Sequence, residues 1–308
     1  MKSKIDISNI QIESFAIFIL THGRPNNVKT ISTIHKAGYT GKFYLIIDNE
    51  DATANEYILN FGKDKVIIFN KKEIADQTDE GNNFDERRTI THARNACFKI
   101  AKELGIKYFM QLDDDYVSFQ YKYINKSGQK LSAHRITDLD EIIRLYLEFF
   151  KANNFLSIAF AQGGDFLGGA KSKYIRSTPL MRKCMNSFIC SVDRPFKFIG
   201  AMNEDVNTYT TLGSRGMLFG TIPIISLNQK PTQSQKGGIT DMYLRFGTYC
   251  KAFTTVMMHP SSVKVFLMRS KYPRIHHFIK WKNTAPMIIS ENCRKSLLLK
   301  MYEKQRKT

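Results

Sequence analysis

The chain has 308 residues, 43% of them hydrophobic, which is enough for one large α/β domain with a substantial core. Lysine and arginine number 46 against 28 acidic residues, and the formal charge of +18 favours a polyanionic partner or an anionic surface. The longest apolar stretch (Phe15 to Leu20) is too short to span a bilayer, and the N-terminus lacks a signal-peptide pattern. The five cysteines form no C-x-x-C pair, which predicts neither a zinc site nor a disulfide framework. We therefore expect a cytoplasmic protein without a membrane segment.

Strands and helices alternate through the N-terminal part of the sequence. Apolar runs predict strands over residues 14–20, 42–47, 65–69 and 108–112. Helical periodicity and terminal glycines predict helices over residues 28–37, 53–61 and 85–104, with a polar loop over residues 71–83. This alternation predicts an α/β fold with a doubly wound, mostly parallel sheet.

The C-terminal half is less regular. It predicts a helix over residues 138–153, a strand over 155–160, a glycine-rich loop over 163–169 and a strand or hairpin over 217–225. Residues 229–238 form a polar, glycine-bearing loop that is a candidate lid, and a basic helical tail follows from Glu291. Because no change in composition marks a boundary, we expect a single domain over residues 1–308.

Three consecutive carboxylates, Asp113, Asp114 and Asp115, follow the fourth predicted strand. Adjacent acids repel each other and resist desolvation, so a hard divalent cation such as Mg²⁺ or Mn²⁺ would stabilise them. Alternate residues of an extended segment point the same way, which makes Asp113 and Asp115 the candidate metal ligands. This is the D-x-D pattern of glycosyltransferases that use a nucleotide-sugar donor; the alternative is a solvated acidic turn.

Other polar residues follow neighbouring predicted strands. His22 and Arg24 come after the first strand, and Asp48 comes after the second. Because ligands of such sheets bind beyond the carboxyl ends of the strands, these residues and the acidic triplet are expected to share one cleft. Structuring of the loops is the alternative role for each of them.

A second acidic cluster, Asn203-Glu204-Asp205, lies about ninety positions after the first. It is a candidate source of a general base. A helix N-cap with favourable charge in its first turn is the alternative, and both roles can hold together.

Several segments carry a family resemblance: THGRPNNVKT, FYLIIDNED, THARNACFKIAKELGIKYFMQLDDDY and GGITDMYLRFGTY. They resemble the TET-associated glycosyltransferases, a family found largely in bacteriophages, over residues 15–289. The resemblance implies a GT-A-like fold and transfer of a sugar, with a UDP-sugar as the expected donor, onto a hydroxylated pyrimidine in DNA such as 5-hydroxymethylcytosine. Residues 14–125 would then form the nucleotide-sugar half, 126–290 the acceptor and catalytic half with a C-terminal extension, and 291–308 a basic tail.

The resemblance also implies roles for particular residues. Asp205, and after it Glu204, would be the general base of an inverting reaction; in a retaining reaction this assignment fails. Asp114 would bind the donor or point into the fold. A C-terminal histidine often completes the metal shell in GT-A enzymes, so His277, His276 or His259 is a candidate third ligand.

Arg94 lies beside the apolar face of the helix predicted over residues 85–104, from which its guanidinium could reach the donor diphosphate. An exposed arginine paired with a nearby acid is the alternative. On the acceptor side, Trp281 could stack on a base or a sugar or belong to the core, and Thr240 and Asp241 could contact the acceptor or cap a helix.

Three other functions compete with this hypothesis. The acceptor could be a cell-envelope glycan or lipid, the chain could be a non-catalytic basic module that binds nucleic acid, or the carboxylates could serve nucleotidyl transfer. The oligomeric state cannot be predicted from these patterns.

Overall fold

The computed structural model describes residues 14–81, 87–172, 175, 180–229, 247, 249–269 and 273–293. Nine strands form the central sheet: β1 (Phe15–Leu20), β2 (Lys42–Asp48), β3 (Val66–Phe69), β4 (Tyr108–Asp113), β5 (Tyr116–Ile124), β6 (Leu131–Arg135), β7 (Ser157–Ala161), β8 (Ser187–Ser191) and β9 (Phe219–Gln229). Their order is β3-β2-β1-β4-β8-β7-β9-β5-β6. A separate antiparallel pair consists of β10 (Val263–Met268) and β11 (Arg274–Ile279).

The described helices flank this sheet. They are α1 (Lys29–Lys36), α2 (Ala54–Phe61), α3 (Lys71–Ala75), α4 (Thr91–Glu103), α5 (Leu139–Ala152), α6 (Glu204–Ser214), α7 (Tyr249–Met258) and α8 (Trp281–Thr284). Short 3-10 helices occur at Gly163–Phe166, Gly169–Lys171 and Glu291–Cys293. Among these helices, none combines the length and the hydrophobicity needed to cross a bilayer.

Most strands of the central sheet run in one direction. The strands β1 to β4 are mutually parallel, and among the nine described strands only β5 and β8 run the opposite way. This topology confirms the predicted doubly wound, mostly parallel α/β fold. The pairing of Leu20 with Asp113 aligns the carboxyl ends of β1 and β4 at one edge of the sheet, where the site residues are expected.

Both faces of the sheet are buried. Ile17 and Ile19 of β1 pack in a core with residues of α1, α2 and α5. Phe18, on the opposite face of the same strand, packs in a second core with residues of α4 and α6. This double burial explains why β1 is a continuous apolar run rather than an alternating one.

The predicted elements of the N-terminal part are largely confirmed, with two corrections. The loop predicted over residues 71–83 begins with helix α3, and α4 begins at Thr91 rather than near residue 85. The hydroxyls of Thr89 and Thr91 donate to the carbonyls of Ala201 and Gly200. These contacts hold the chain before α4 against a distant segment, so tertiary packing sets the start of the helix.

Candidate active site

The acidic triplet forms the tight connection between β4 and β5. Helix α1 holds this turn, because the Thr30 hydroxyl donates to the Asp113 carbonyl at 2.6 Å and the Thr30 amide donates to the Asp114 carbonyl at 3.1 Å. These backbone contacts leave the three carboxylates free to point in different directions.

Asp114 points into the protein and is 4% exposed. Its carboxylate accepts hydrogen bonds from the Thr21 hydroxyl at 2.7 Å and from Arg24 Nη1 at 3.1 Å. Burial raises the pKa of Asp114, although Arg24 and Thr21 oppose the rise. Asp114 thereby fastens the loop after β1, including Arg24, to the end of β4.

Arg94 joins the two acidic clusters. Its Nε donates to Glu204 Oε1 at 2.9 Å and its Nη2 donates to Asp113 Oδ1 at 3.0 Å. The residue is 1% exposed, and its guanidinium lies 5.1 Å from the centre of the Phe188 ring. Arg94 is thus a buried bridge between β4 and α6 rather than the exposed helix arginine considered as the alternative.

The site carries more negative charge than its arginines balance. Burial raises the pKa of Asp113 to about 7; Arg94 opposes this rise, while Asp115, Glu204 and Asp114 add to it. A divalent cation bound here would favour the ionised carboxylates. The donor set of carboxylate oxygens therefore fits Mg²⁺ or Mn²⁺.

Asp115, like Asp113, is half-buried. Its Oδ1 accepts a hydrogen bond from Gln229 Nε2, at the end of β9, at 2.8 Å. Burial raises its pKa, which Gln229 opposes. Within the described ranges no three His, Cys, Asp or Glu side chains lie close enough to hold a metal ion. An ion at Asp115 would therefore take further ligands from water or from substrate phosphates, as Mg²⁺ commonly does.

The second acidic cluster is the N-terminus of α6. Asn203 is the N-cap residue, with a left-handed backbone (φ 54°), and Glu204 and Asp205 occupy the first turn. Burial raises the pKa of Asp205, Glu204 adds to the rise, and Lys251 and Lys183 oppose it. The alternative role of this cluster, a helix N-terminus with acidic residues in its first turn, is thus present. This terminus also places Asp205 next to Glu204, which accepts a hydrogen bond from Arg94.

His277 of β11 lies against this terminus. Its Nδ1 is 3.4 Å from Asn203 Nδ2, and its Nε2 is buried without a hydrogen-bond partner in the described structure. Burial, together with Lys183 and other nearby groups, holds its pKa well below the ordinary value, so the ring is neutral. Donation from Asn203 would leave Nε2 as an N–H group, which suits a substrate oxygen better than a metal ion.

The other two candidate histidines do not reach the acidic triplet in the contacts seen. His276 stacks on Phe266 at 6.2 Å between ring centres. His259 is near Ser214 and Ser261, at 3.4 Å and 3.3 Å. In the described part of the chain no histidine groups with Asp113 and Asp115 into a metal site, and metal binding by His277 stays a prediction.

A charged network lies at the end of β2. Asp48 accepts from His22 Nδ1 at 2.8 Å and from Lys71 Nζ at 3.3 Å. Burial opposes ionisation of Asp48, but His22 and Lys71 outweigh it and lower its pKa. The hydrogen bond to Asp48 raises the pKa of His22. Sequence patterns did not indicate Lys71, since an isolated lysine after a strand carries no signal of burial.

The predicted acceptor residues are only partly described. Trp281 is the first residue of α8 and stacks on Tyr209 of α6, with ring centres 5.8 Å apart and planes 14° apart. This packing ties α8 to the helix that carries Asp205. Thr240, Asp241 and most of the candidate lid over residues 229–238 lie outside the described residues.

In this protein acidic and basic side chains lie beyond the carboxyl ends of the strands of a doubly wound sheet. Enzymes with such a sheet commonly bind a nucleotide at this edge. A family model for TET-Associated Glycosyltransferase matches residues 15–238, most of the chain. The chain belongs to this family and is a glycosyltransferase, and its topology agrees with the GT-A-like fold expected for it. The match ends before residue 289, where the visible resemblance was expected to end.

No curated protein matches the chain. Among solved structures, it is similar to glucosyl-3-phosphoglycerate synthase from Mycobacterium tuberculosis in complex with Mg²⁺ and UDP, with 8% identity, a TM-score of 0.44, and coverage of 86% of this chain and 87% of that chain. It is also similar to the mannosyltransferase PcManGT from Pyrobaculum calidifontis in complex with GDP-Man and Mn²⁺, with 10% identity, a TM-score of 0.45, and coverage of 80% and 73%. At these TM-scores, neither likeness bears on the activity of this chain.

Proposed function

We propose that the protein transfers a sugar from a nucleotide-sugar donor, most simply a UDP-sugar, to a hydroxylated pyrimidine in DNA, with Mn²⁺ or Mg²⁺ as cofactor. The observation that supports this proposal best is the Arg94 bridge, which holds Asp113 at the end of β4 and Glu204 at the start of α6. It brings the candidate metal ligand Asp113 close to the acidic cluster that contains the candidate general base.

The donor side is formed by the ends of β1, β2 and β4. Asp115, with Asp113 beside it, would hold the ion, which when bound neutralises charge that develops on the leaving diphosphate. Arg24 lies at the same edge, held by Asp114, and its guanidinium would contact the donor diphosphate. The paired His22 and Asp48 offer polar groups for the ribose or the base.

The acceptor side is formed by the start of α6. In an inverting reaction the acceptor hydroxyl oxygen bonds to the anomeric carbon, the bond from that carbon to the diphosphate oxygen breaks, and the hydroxyl proton moves to a carboxylate. Glu204 accepts a hydrogen bond from Arg94, whereas the Asp205 carboxylate accepts one from the Val206 amide at 2.8 Å and is not held by an arginine among the described residues. Asp205, whose pKa is raised, is therefore our choice as general base.

The proposed DNA acceptor rests on the family and on the charge of +18. A surplus of cations binds phosphates without reading sequence. A hydroxymethyl group projects into the major groove of a duplex and could be reached there, or the base could be flipped out of the stack.

The test is incubation of the protein with Mn²⁺, a panel of nucleotide sugars and DNA that contains either 5-hydroxymethylcytosine or cytosine, followed by mass spectrometry of the nucleosides. We expect the mass of one sugar to be added to the hydroxymethylated nucleoside alone, and to be lost in Asp115→Ala. Parallel reactions offer lipid and glycan acceptors. Transfer to these but not to DNA, or no dependence on Asp115, would contradict the proposal.

A further inference from the structure

The β10–β11 ribbon presents a basic and aromatic outer face. Its cross-strand pairs on this face are Lys264 with Phe278, Phe266 with His276 and Met268 with Arg274. Phe266 is 37% exposed and Phe278 is 46% exposed, and Lys264 and Arg274 are exposed as well. Large exposed aromatics on a monomer commonly mark a binding surface.

The aromatic rings of this outer face are in contact with one another. The rings of Phe266 and Phe278 are 5.8 Å apart between centres, and Lys264 Nζ lies 5.4 Å from the centre of the Phe278 ring. The opposite, inner face has buried Val263, His277 and Ile279, whereas Leu267 and Ile275 at the far end of that face are exposed. Helix α7 contacts both strands. The ribbon is therefore supported from within and open on its outer face.

The stretch of sequence that contains the ribbon is strongly basic. Between Val206 and Ser290 the sequence has eleven Lys or Arg residues and a single acidic residue, Asp241. In the described part of this stretch the cations include Lys251, Lys264, Arg269, Arg274, Lys280 and Lys282. A ribbon in so basic a stretch is complementary to a polyanion.

The ribbon is also connected to the candidate catalytic residues. His277, on its inner face, lies 3.4 Å from the Asn203 side chain, and Asn203 precedes Glu204 and Asp205. The Asn203 amide donates to the Lys251 carbonyl and to the Thr255 hydroxyl of α7 at 2.9 Å and 2.8 Å. The inner face of the ribbon and α7 are thus fixed against the start of α6.

We propose that the outer face of the β10–β11 ribbon is the DNA-docking surface, with Lys264 and Arg274 contacting phosphates and Phe266 and Phe278 stacking on an exposed base. This proposal rests on the proposed function, and it concerns residues beyond the family match, which ends at residue 238. Two-stranded ribbons fit the major groove of DNA, and aromatic side chains stack on unpaired bases irrespective of sequence. Charge complementarity favours DNA over an uncharged partner.

The test measures binding of fluorescently labelled DNA by anisotropy over a range of salt concentrations, which requires no catalysis. In Lys264→Gln/Arg274→Gln we expect the slope of log K against log salt to become shallower by about 1 to 2, since each lost phosphate contact removes about 0.9. In Phe266→Ala/Phe278→Ala we expect about 5- to 100-fold weaker binding to single-stranded DNA with little change in slope. Lys264→Arg and Phe278→Tyr should restore most of the affinity.

The matched control is Lys36→Gln/Lys102→Gln, which removes the same charge from exposed positions on α1 and α4. Thermal unfolding checks that every variant is folded. If Phe266→Ala/Phe278→Ala does not fold, the comparison is made with Lys264→Gln/Arg274→Gln and with the conservative variants Lys264→Arg and Phe278→Tyr. If the control and the ribbon variants weaken DNA binding equally, the proposal is overturned. It is also overturned if the ribbon variants keep their affinity for DNA but lose binding to anionic phosphatidylglycerol vesicles. If the wild-type protein binds DNA through the ribbon but adds no sugar to it, the proposed function fails and the docking surface stands.

Discussion

Replacement of Arg94 by methionine tests whether one buried side chain assembles the site. Methionine has a similar length and fills much of the same space, so little of the effect should come from a cavity. The substitution removes the donors to Asp113 and Glu204, at 3.0 Å and 2.9 Å, and leaves both carboxylates in place.

The expected loss follows from the burial of this bridge. Arg94 is 1% exposed, and removal of one partner from a buried ion pair destabilises a protein by about 3–5 kcal/mol because the remaining charge is uncompensated. Loss of the cation–π contact with Phe188 adds about 1 kcal/mol. We therefore expect the free energy of unfolding to fall by about 4 to 6 kcal/mol at about pH 8.

The loss should depend on pH. The pKa of Asp113 in the folded protein, about 7, lies above its ordinary value of 3.8, so ionisation of this group destabilises the folded state as the pH rises between the two. Arg94 opposes that rise. Without Arg94 the folded-state pKa rises further, and the destabilisation extends to higher pH. The difference between variant and wild type should therefore be smaller at about pH 5, where Asp113 is protonated in both folded proteins.

The assay is urea unfolding in EDTA, followed by circular dichroism and by the fluorescence of the single tryptophan, Trp281. In parallel, kcat/KM for sugar transfer should fall by about 100-fold or more, since a displacement near 1 Å at a catalytic group has that effect. The matched control is Arg144→Met on α5. Arg144 also contacts two glutamates, Glu141 and Glu148, but at the surface, so its loss should be about 1 kcal/mol or less.

Two results would refute the argument. One is a stability loss for Arg94→Met no larger than that for Arg144→Met. The other is a loss that grows as the pH falls, because uncompensated carboxylates destabilise the protein when they are ionised and not when they are protonated.

Three further predictions follow from the same geometry. Asp115→Asn should weaken Mn²⁺ binding in the presence of UDP by about 10-fold or more, measured by calorimetry; unchanged affinity would place the ion elsewhere. Asp205→Asn should lower kcat by about 100- to 10,000-fold with a smaller change in KM, and a larger effect of Glu204→Gln would reverse the two assignments. Asp48→Asn should destabilise the protein above about pH 4, because the lowered pKa of Asp48 adds stability above 3.8. The loss should be larger below the raised pKa of His22 than above it, because the stability that this raised pKa adds is lost as the pH rises through it; a pH-independent loss in urea unfolding would count against this pair.

Much of the fold follows from local sequence. Apolar runs ending in polar residues mark β1, β2 and β4, because strands buried on both faces need continuous hydrophobicity and their ends must be solvated or ligand-bound. The acidic triplet is recognisable for the same reason: three adjacent carboxylates after such a strand require compensation. These features suffice for the parallel part of the sheet and for the edge on which the site lies.

The antiparallel part was less predictable. The strands β5, β6 and β8 were not predicted, since β5 begins immediately after the triplet and alternates only partly, and β8 has no turn signal that fixes its place between β4 and β7. Strand order in this half depends on pairings between distant segments, which local periodicity does not contain.

The amino-acid sequence by itself determined the α/β class, the parallel strands and the two acidic clusters, because each depends on residues that are neighbours in the chain. Tertiary structure alone decided that the buried Arg94 bonds both to Asp113 and to Glu204, the latter 110 positions away in sequence, and that Asp114 faces inward. The physical reason is that the charge state and accessibility of a side chain depend on what surrounds it in space. Those surroundings exist only once the sheet and α6 have packed together.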